Sequence, residues 1–192
     1  MTERELVKAA IEGDESIFWS LYEIYKEKIY RTACLLTGNS DDADDISQET
    51  WIAAYNKIRT LKNPEKFSSW IYVILKRCAF RFLRRKKSEV LVGKITEFRK
   101  NEISFEAASP TGTPMSNALR TEREDILQRC VLSLDKKQRM VIILFYYNDF
   151  SIEQISEIMH TPPGTIKSRL HTARENLRIA LQKEGLTYED II

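Results

Sequence analysis

Apolar residues recur at intervals of three and four along most of the chain, and no stretch alternates apolar with polar as a half-buried strand does. Leu6, Ala9 and Ala10 begin a first helix, and Phe18, Leu21, Tyr22, Tyr25, Ile29 and Ala33 carry a second that Gly38 ends. A third is predicted from about Asp42 to Ile58. After a break at Pro64, a fourth runs from about Ser69 to Lys87. Periodicity then fades: "ASPTGTPMSN" has the composition of a linker, while "VLVGKITEF" could be a short strand without a neighbour to pair with. Helical spacing resumes with "EDILQRCVLSL" and "KQRMVIILFYYN". The pattern predicts an all-α protein of two small helical domains, residues 1–87 and 122–183, joined by a flexible linker over 88–121 and followed by a tail over 184–192.

The C-terminal stretch "FSIEQISEIMHTPPGTIKSRLHTARENLRIAL" reads as two helices and a tight turn. Ser151 with Gln154 makes a capping-box start, and Ile152, Ile155, Ile158 and Met159 supply an inner face. His160 and Thr161 form the turn, with Thr161 expected as N-cap and Pro162 as the first helical residue. On the second helix Ile166, Leu170, Ala173 and Leu177 share one stripe. Lys167, Ser168, His171 and Arg178 lie opposite, with Thr165, Thr172 and Arg174 at the flanks. Short side chains and bases near a helix start suit the DNA major groove. An ordinary helical hairpin with a solvated face has the same apolar spacing.

Composition narrows the classes. The 192 residues are 43% hydrophobic and 30% charged, too apolar for a disordered chain. Cys34, Cys78 and Cys130 stand far apart, and neither they nor His160 and His171 have metal-ligand spacing, so no metal or cofactor is expected. No apolar run is long enough to span a bilayer and "MTERELVKAAIEGDE" has no secretory core, so a soluble, cytoplasmic protein is expected.

Net charge is only +2, but the charges are segregated. "DDADDISQETWI" carries five carboxylates and no base in its first nine positions, whereas "KRCAFRFLRRKK" carries seven bases and no acid. On the acidic helix Ala43, Ile46, Thr50, Ala53, Ala54 and Ile58 face inward. Asp41, Asp45, Gln48, Glu49 and Asn56 face outward around Ile52. Early acids favour the positive helix end, which accounts for Asp41 and Asp42 only. Carboxylates ringing one aliphatic residue form a docking face for a basic protein surface. On the basic helix Tyr72, Leu75, Ala79, Phe82 and Leu83 face inward, and Trp70, Ile74, Arg77, Arg81 and Arg84 form another stripe. Guanidiniums neutralise phosphates, an indole stacks beside an unpaired base, and the loop "RTLKNPEKFSS" could cup a flipped one. Equally, Trp70 could be core and the bases a solvated helix end.

The segments "DADDISQETWIAAY", "FSSWIYVILKRCAFRFLRRKK", "LSLDKKQRMVIILFYYNDFSIEQISEIM" and "PGTIKSRLHTARENL", in this order, resemble bacterial RNA polymerase sigma factors, specifically the small extracytoplasmic-function branch of the sigma-70 family. That resemblance implies a non-catalytic subunit that binds core polymerase and directs initiation at a two-part promoter. Asp45, Gln48 and Glu49 match the motif that docks on the coiled coil of the largest catalytic subunit, and Ile52, at the centre of the acidic face, is expected to join them. Trp70 and the helix bearing Arg77, Arg81, Arg84 and Arg85 match the segment that opens the downstream promoter element. Gly164, Thr165, Lys167, Ser168, Arg169, His171 and Arg174 lie in the match to the recognition helix for the upstream element. An anti-sigma protein is an implied regulator, the linker is expected to thread toward the active-site channel, and no small-molecule substrate is implied. The chain departs from the family at Arg77 and Arg81 (usually Asn and Asp), Asp149 and His160 (usually Gly), Thr172 (usually Arg) and Asp135 (usually Pro). A free-standing helix-turn-helix regulator and a nuclease are the competing classes; neither explains an acidic face set apart from the basic helix.

Overall fold

Local capping chemistry defines most of the helix starts. The structure is a computed structural model that describes the backbone of residues 1–93 and 114–186 and the side chains of residues 1–86 and 123–186. Thr2 and Glu5 close a capping box on α1 (Glu3–Glu12), Asp14 caps α2 (Glu15–Thr37), and Asn39 caps α3 (Ser40–Lys57). Two short 3₁₀ turns lead into α4 (Phe67–Gly93). The second half holds α5 (Pro114–Ser133), α6 (Lys136–Ile142) with a π-helical turn over Ile143–Tyr147, α7 (Ile152–Met159) and α8 (Pro163–Lys183). Among the described residues there is no strand. Residues 90–93 of "VLVGKITEF" continue α4, and the rest lies outside the described residues. Helix therefore extends past both edges of the expected 88–121 linker, to Gly93 and from Pro114.

In the N-terminal half α2 packs on α1, α3 and α4, around fully buried Leu21, Ile29, Leu36, Ile46, Phe67, Ile71 and Leu75. The residues expected to face inward are buried or half-buried, but the buried set is wider and includes Ile71 and Cys78 of α4. Trp51, absent from the predicted inner face of α3, is buried against Phe18 and Tyr22. Ile74, placed by periodicity beside Trp70 on an outer stripe, is 6% exposed; it shares the side of α4 on which Arg81 meets Glu49, and α3 packs along that side. The C-terminal half closes over Met140, Leu144, Ile155, Ile158, Ile166 and Leu170.

Among the described residues the non-glycine residues with positive φ are Asp149 (57°) and His160 (50°), which flank α7. They occupy the two positions where the resembled family usually has glycine, so the left-handed turns survive the substitutions. The start of α8 corrects an expectation: Pro162 is the N-cap, Pro163 the first helical residue, and the Thr161 hydroxyl turns back to donate to the Met159 carbonyl at 3.2 Å. A proline drives the residue before it out of the α region, so of two consecutive prolines only the second can open the helix.

Between the halves α7 lies on α4, and α5 with the π-helical turn lies on α2. Asn148 is the hub of one contact. Its Oδ1 accepts from Tyr72 and its Nδ2 donates to Thr32 Oγ1 at 3.1 Å. Arg139 donates to the carbonyls of Leu36, Leu132 and Leu134, a cation gathering orphan carbonyls at the ends of α2 and α5. Gly38, with φ of 71°, abuts Leu132, and any side chain there would collide with it.

Candidate polymerase- and nucleic-acid-binding surfaces

Of the residues that periodicity puts on the outward face of α3, Asp41, Asp45, Gln48 and Asn56 are exposed and Glu49 is half-buried. Asp44 is exposed as well, and Ile52 is 58% exposed, a large aliphatic side chain left in water among them. Tyr55 and Trp19 extend this apolar centre: Tyr55 meets Phe18 edge-on at 5.3 Å, and Trp19 meets the same ring at 6.3 Å. Trp19 comes from α2, so no periodicity within α3 could add it.

Segregation of the two charged faces is incomplete, which corrects the sequence reading. Because α3 and α4 pack side by side, Arg81 pairs with Glu49 and Lys86 with Asp42 across them. Glu49 is thus half-buried and already partnered, whereas Asp45 and Gln48 have no hydrogen bond or ion pair with the described residues. An exposed pair of this kind contributes about 0–1 kcal/mol, so it biases the two faces without fusing them.

On α4, Arg77, Arg81, Arg84 and Arg85 are exposed, with Arg85 over the Phe82 ring at 5.3 Å. Trp70 is half-buried, tilted against Phe67 at 5.8 Å, so only part of its indole faces solvent. The loop before α4 is braced by Asn63, which accepts from the Glu65 amide, and Lys66 reaches across to Glu157 at 2.7 Å.

Lys76, missed by the sequence reading, sits among these arginines yet is 8% exposed. It donates to the Ile158 carbonyl near the end of α7, where a cation meets the negative helix end. Burial, with Arg77 nearby, pushes its amine down to about 8. His160 is likewise held below the ordinary imidazole range by burial, then by Lys76 and Arg77.

Along α8 the structure keeps Gly164, Thr165, Lys167, Ser168 and His171 exposed over a buried stripe of Ile166, Leu170, Ala173 and Leu177. Two bases depart from that face. Arg174 lies over Phe145 and Tyr146 at 5.4 Å each and donates to the Tyr146 hydroxyl at 2.6 Å. Arg169 turns toward α4, with one terminal nitrogen buried and without a partner. The described residues contain no group of His, Cys, Asp or Glu arranged to hold a metal, and no helix among them is long and apolar enough to cross a membrane.

Comparison with known proteins adds sequence and fold relatives. The Sigma-70 region 2 family matches residues 21–89, and the Sigma-70 region 4 family matches residues 124–177. The ECF RNA polymerase sigma factor SigW of Bacillus subtilis is 32% identical over 180 residues, covering 93% of this chain and 96% of the relative. RNA polymerase sigma factor SigV of the same organism is 34% identical over 164 residues, covering 85% and 90%. Among solved structures, the sigma factor RpoE of Bartonella quintana, in complex with the anti-sigma factor NepR, shares the fold with a TM-score of 0.70 and 22% identity, covering 86% of this chain and 96% of that one. CnrH, in complex with the cytosolic domain of CnrY, gives 0.68 and 19%, covering 94% and 97%.

Proposed function

This chain belongs to the extracytoplasmic-function RNA polymerase sigma factors of the sigma-70 family, which direct transcription initiation, and we propose that it divides that task among three surfaces. Asp45, Gln48 and Ile52 on α3 dock on a basic coiled coil of core polymerase, with Glu49 joining once it exchanges Arg81 for the partner. Trp70, Arg77, Arg81, Arg84 and Arg85 on α4 meet the downstream promoter element. Gly164, Thr165, Lys167, Ser168 and His171 on α8 read the upstream element, while Arg169 and Arg174 join only after leaving their present contacts. The working units are residues 1–87 and 122–183, tethered by 88–121. In this reading the chain supplies placement, makes or breaks no bond itself, and acts in the cytoplasm, where polymerase is.

The observation that carries the proposal is the exposed, unpartnered set Asp45, Gln48 and Ile52. A lone aliphatic side chain ringed by acids is the small apolar centre and charged rim of a protein interface, and acids repel DNA. The packing of α7 on α4 supports a second element: a closed form in which the two DNA-reading helices are held together and must part to reach a divided promoter. Regulation by an anti-sigma protein is proposed by analogy with RpoE, solved in complex with the anti-sigma factor NepR. The test is reconstitution with core polymerase: changing Asp45, Gln48 and Ile52 together to alanine should abolish polymerase binding and promoter-specific starts while leaving thermal stability nearly unchanged. Full activity in that triple variant would sink the assignment.

A further inference from the structure

Where α4 meets α6, α7 and α8, a cleft of about 200 Å³ is lined by Lys76, Phe80, Lys137, Met159, Thr161 and Arg169. Three of the six lining side chains are cations and none is an acid. Lys136 adds a fourth positive charge, its ammonium over the Phe80 ring at 5.5 Å. Glu157, beside Ile158 in sequence, is occupied by Lys66 at 2.7 Å. Like charges gathered in a partly desolvated space repel, and a buried guanidinium N–H without an acceptor forfeits its hydration with nothing in return. Arg169 has such a nitrogen, and Lys76 has only a backbone carbonyl as partner.

We propose that this cleft binds a small polyphosphate anion, free or carried by a nucleotide, which bridges the two halves of the chain and favours their closed packing. A phosphoryl group offers oxygens in several directions, which a guanidinium fork and two ammoniums from three helices can share. The half-exposed Phe80 ring gives a nucleobase a surface to stack on. Lys76 and Phe80 come from α4 whereas Lys137, Met159, Thr161 and Arg169 come from the C-terminal half, so the site exists only while the halves touch. It does not depend on which surfaces meet polymerase or promoter.

Calorimetric titration of the full chain with sodium pyrophosphate, and separately with ATP, at constant ionic strength tests it. One saturable site per chain is expected. Lys137→Ala should weaken binding at least tenfold while promoter-specific transcription persists, and Lys183→Ala, at the far end of α8, should leave binding unchanged. The double variant Tyr72→Phe, Asn148→Ala, at residues that do not line the cleft but join the halves, should also weaken it. Tighter binding of ATP assigns the site to a nucleotide, and equal affinity assigns it to the polyphosphate alone. The proposal is overturned by absence of saturable binding, by equal losses in Lys137→Ala and Lys183→Ala, or by undiminished binding in the junction variant.

Discussion

Asn148→Ala should shift the chain from closed to open. In the closed form the side chain accepts from Tyr72, which is 1% exposed, and exchanges hydrogen bonds with Thr32. Its bond to the Ile143 carbonyl lies within the C-terminal half and persists when the halves separate, so it cancels from the closing equilibrium. What remains is a buried tyrosine hydroxyl stripped of its amide acceptor, a loss of about 2 kcal/mol. At about 1.4 kcal/mol per tenfold, the closing constant falls roughly 30-fold. Tyr72→Phe removes the donor instead and leaves Asn148 with Thr32, so about 1 kcal/mol is expected. The double variant should cost less than the sum, with a coupling of about 1 kcal/mol. Energy transfer between dyes at exposed positions 8 and 183 reads the closed population, and far-ultraviolet dichroism checks that both halves stay folded. A closing constant within twofold of wild type in Asn148→Ala, or strict additivity, would refute the hub.

Closing should strengthen as pH rises. Burial lowers both the Lys76 amine, to about 8, and the His160 imidazole, so each favours the closed form only once it has lost its proton. His160 acts around and below its ordinary pKa and Lys76 between about 8 and its ordinary value, each by at most tenfold per pH unit for one proton; the same dyes titrated from pH 5 to 10 read both, and a falling closed fraction contradicts the sign. His160→Gly should stabilise the C-terminal half by about 0.5–1 kcal/mol in urea unfolding, because φ of 50° strains a residue with a Cβ. Lys167→Ala, on the exposed face of α8, should lower the salt slope of upstream-element binding by about one, whereas Arg174→Ala should lower it less, its guanidinium being engaged by Tyr146.

Local signals in the sequence determined much of this molecule. The capping box of Ser151 and Gln154, the stop at Gly38, the stripe from Ile166 to Leu177 and the exposure of Ile52 all follow from residues a few positions apart, since helical period and end chemistry are short-range. The four segments that resemble the sigma factors were legible for the same reason, being runs of contiguous side chains. Tertiary structure alone decided the rest. Lys76 was only one of seven bases in its segment until Ile158 of α7, 82 positions on, put its carbonyl over it. Arg81 and Glu49 looked like members of separate faces until α3 and α4 packed side by side. A helical wheel fixes the direction in which a side chain leaves its own helix, but what it meets there depends on contacts between distant segments, and there burial and pairing reverse what exposure would have made of the same residue.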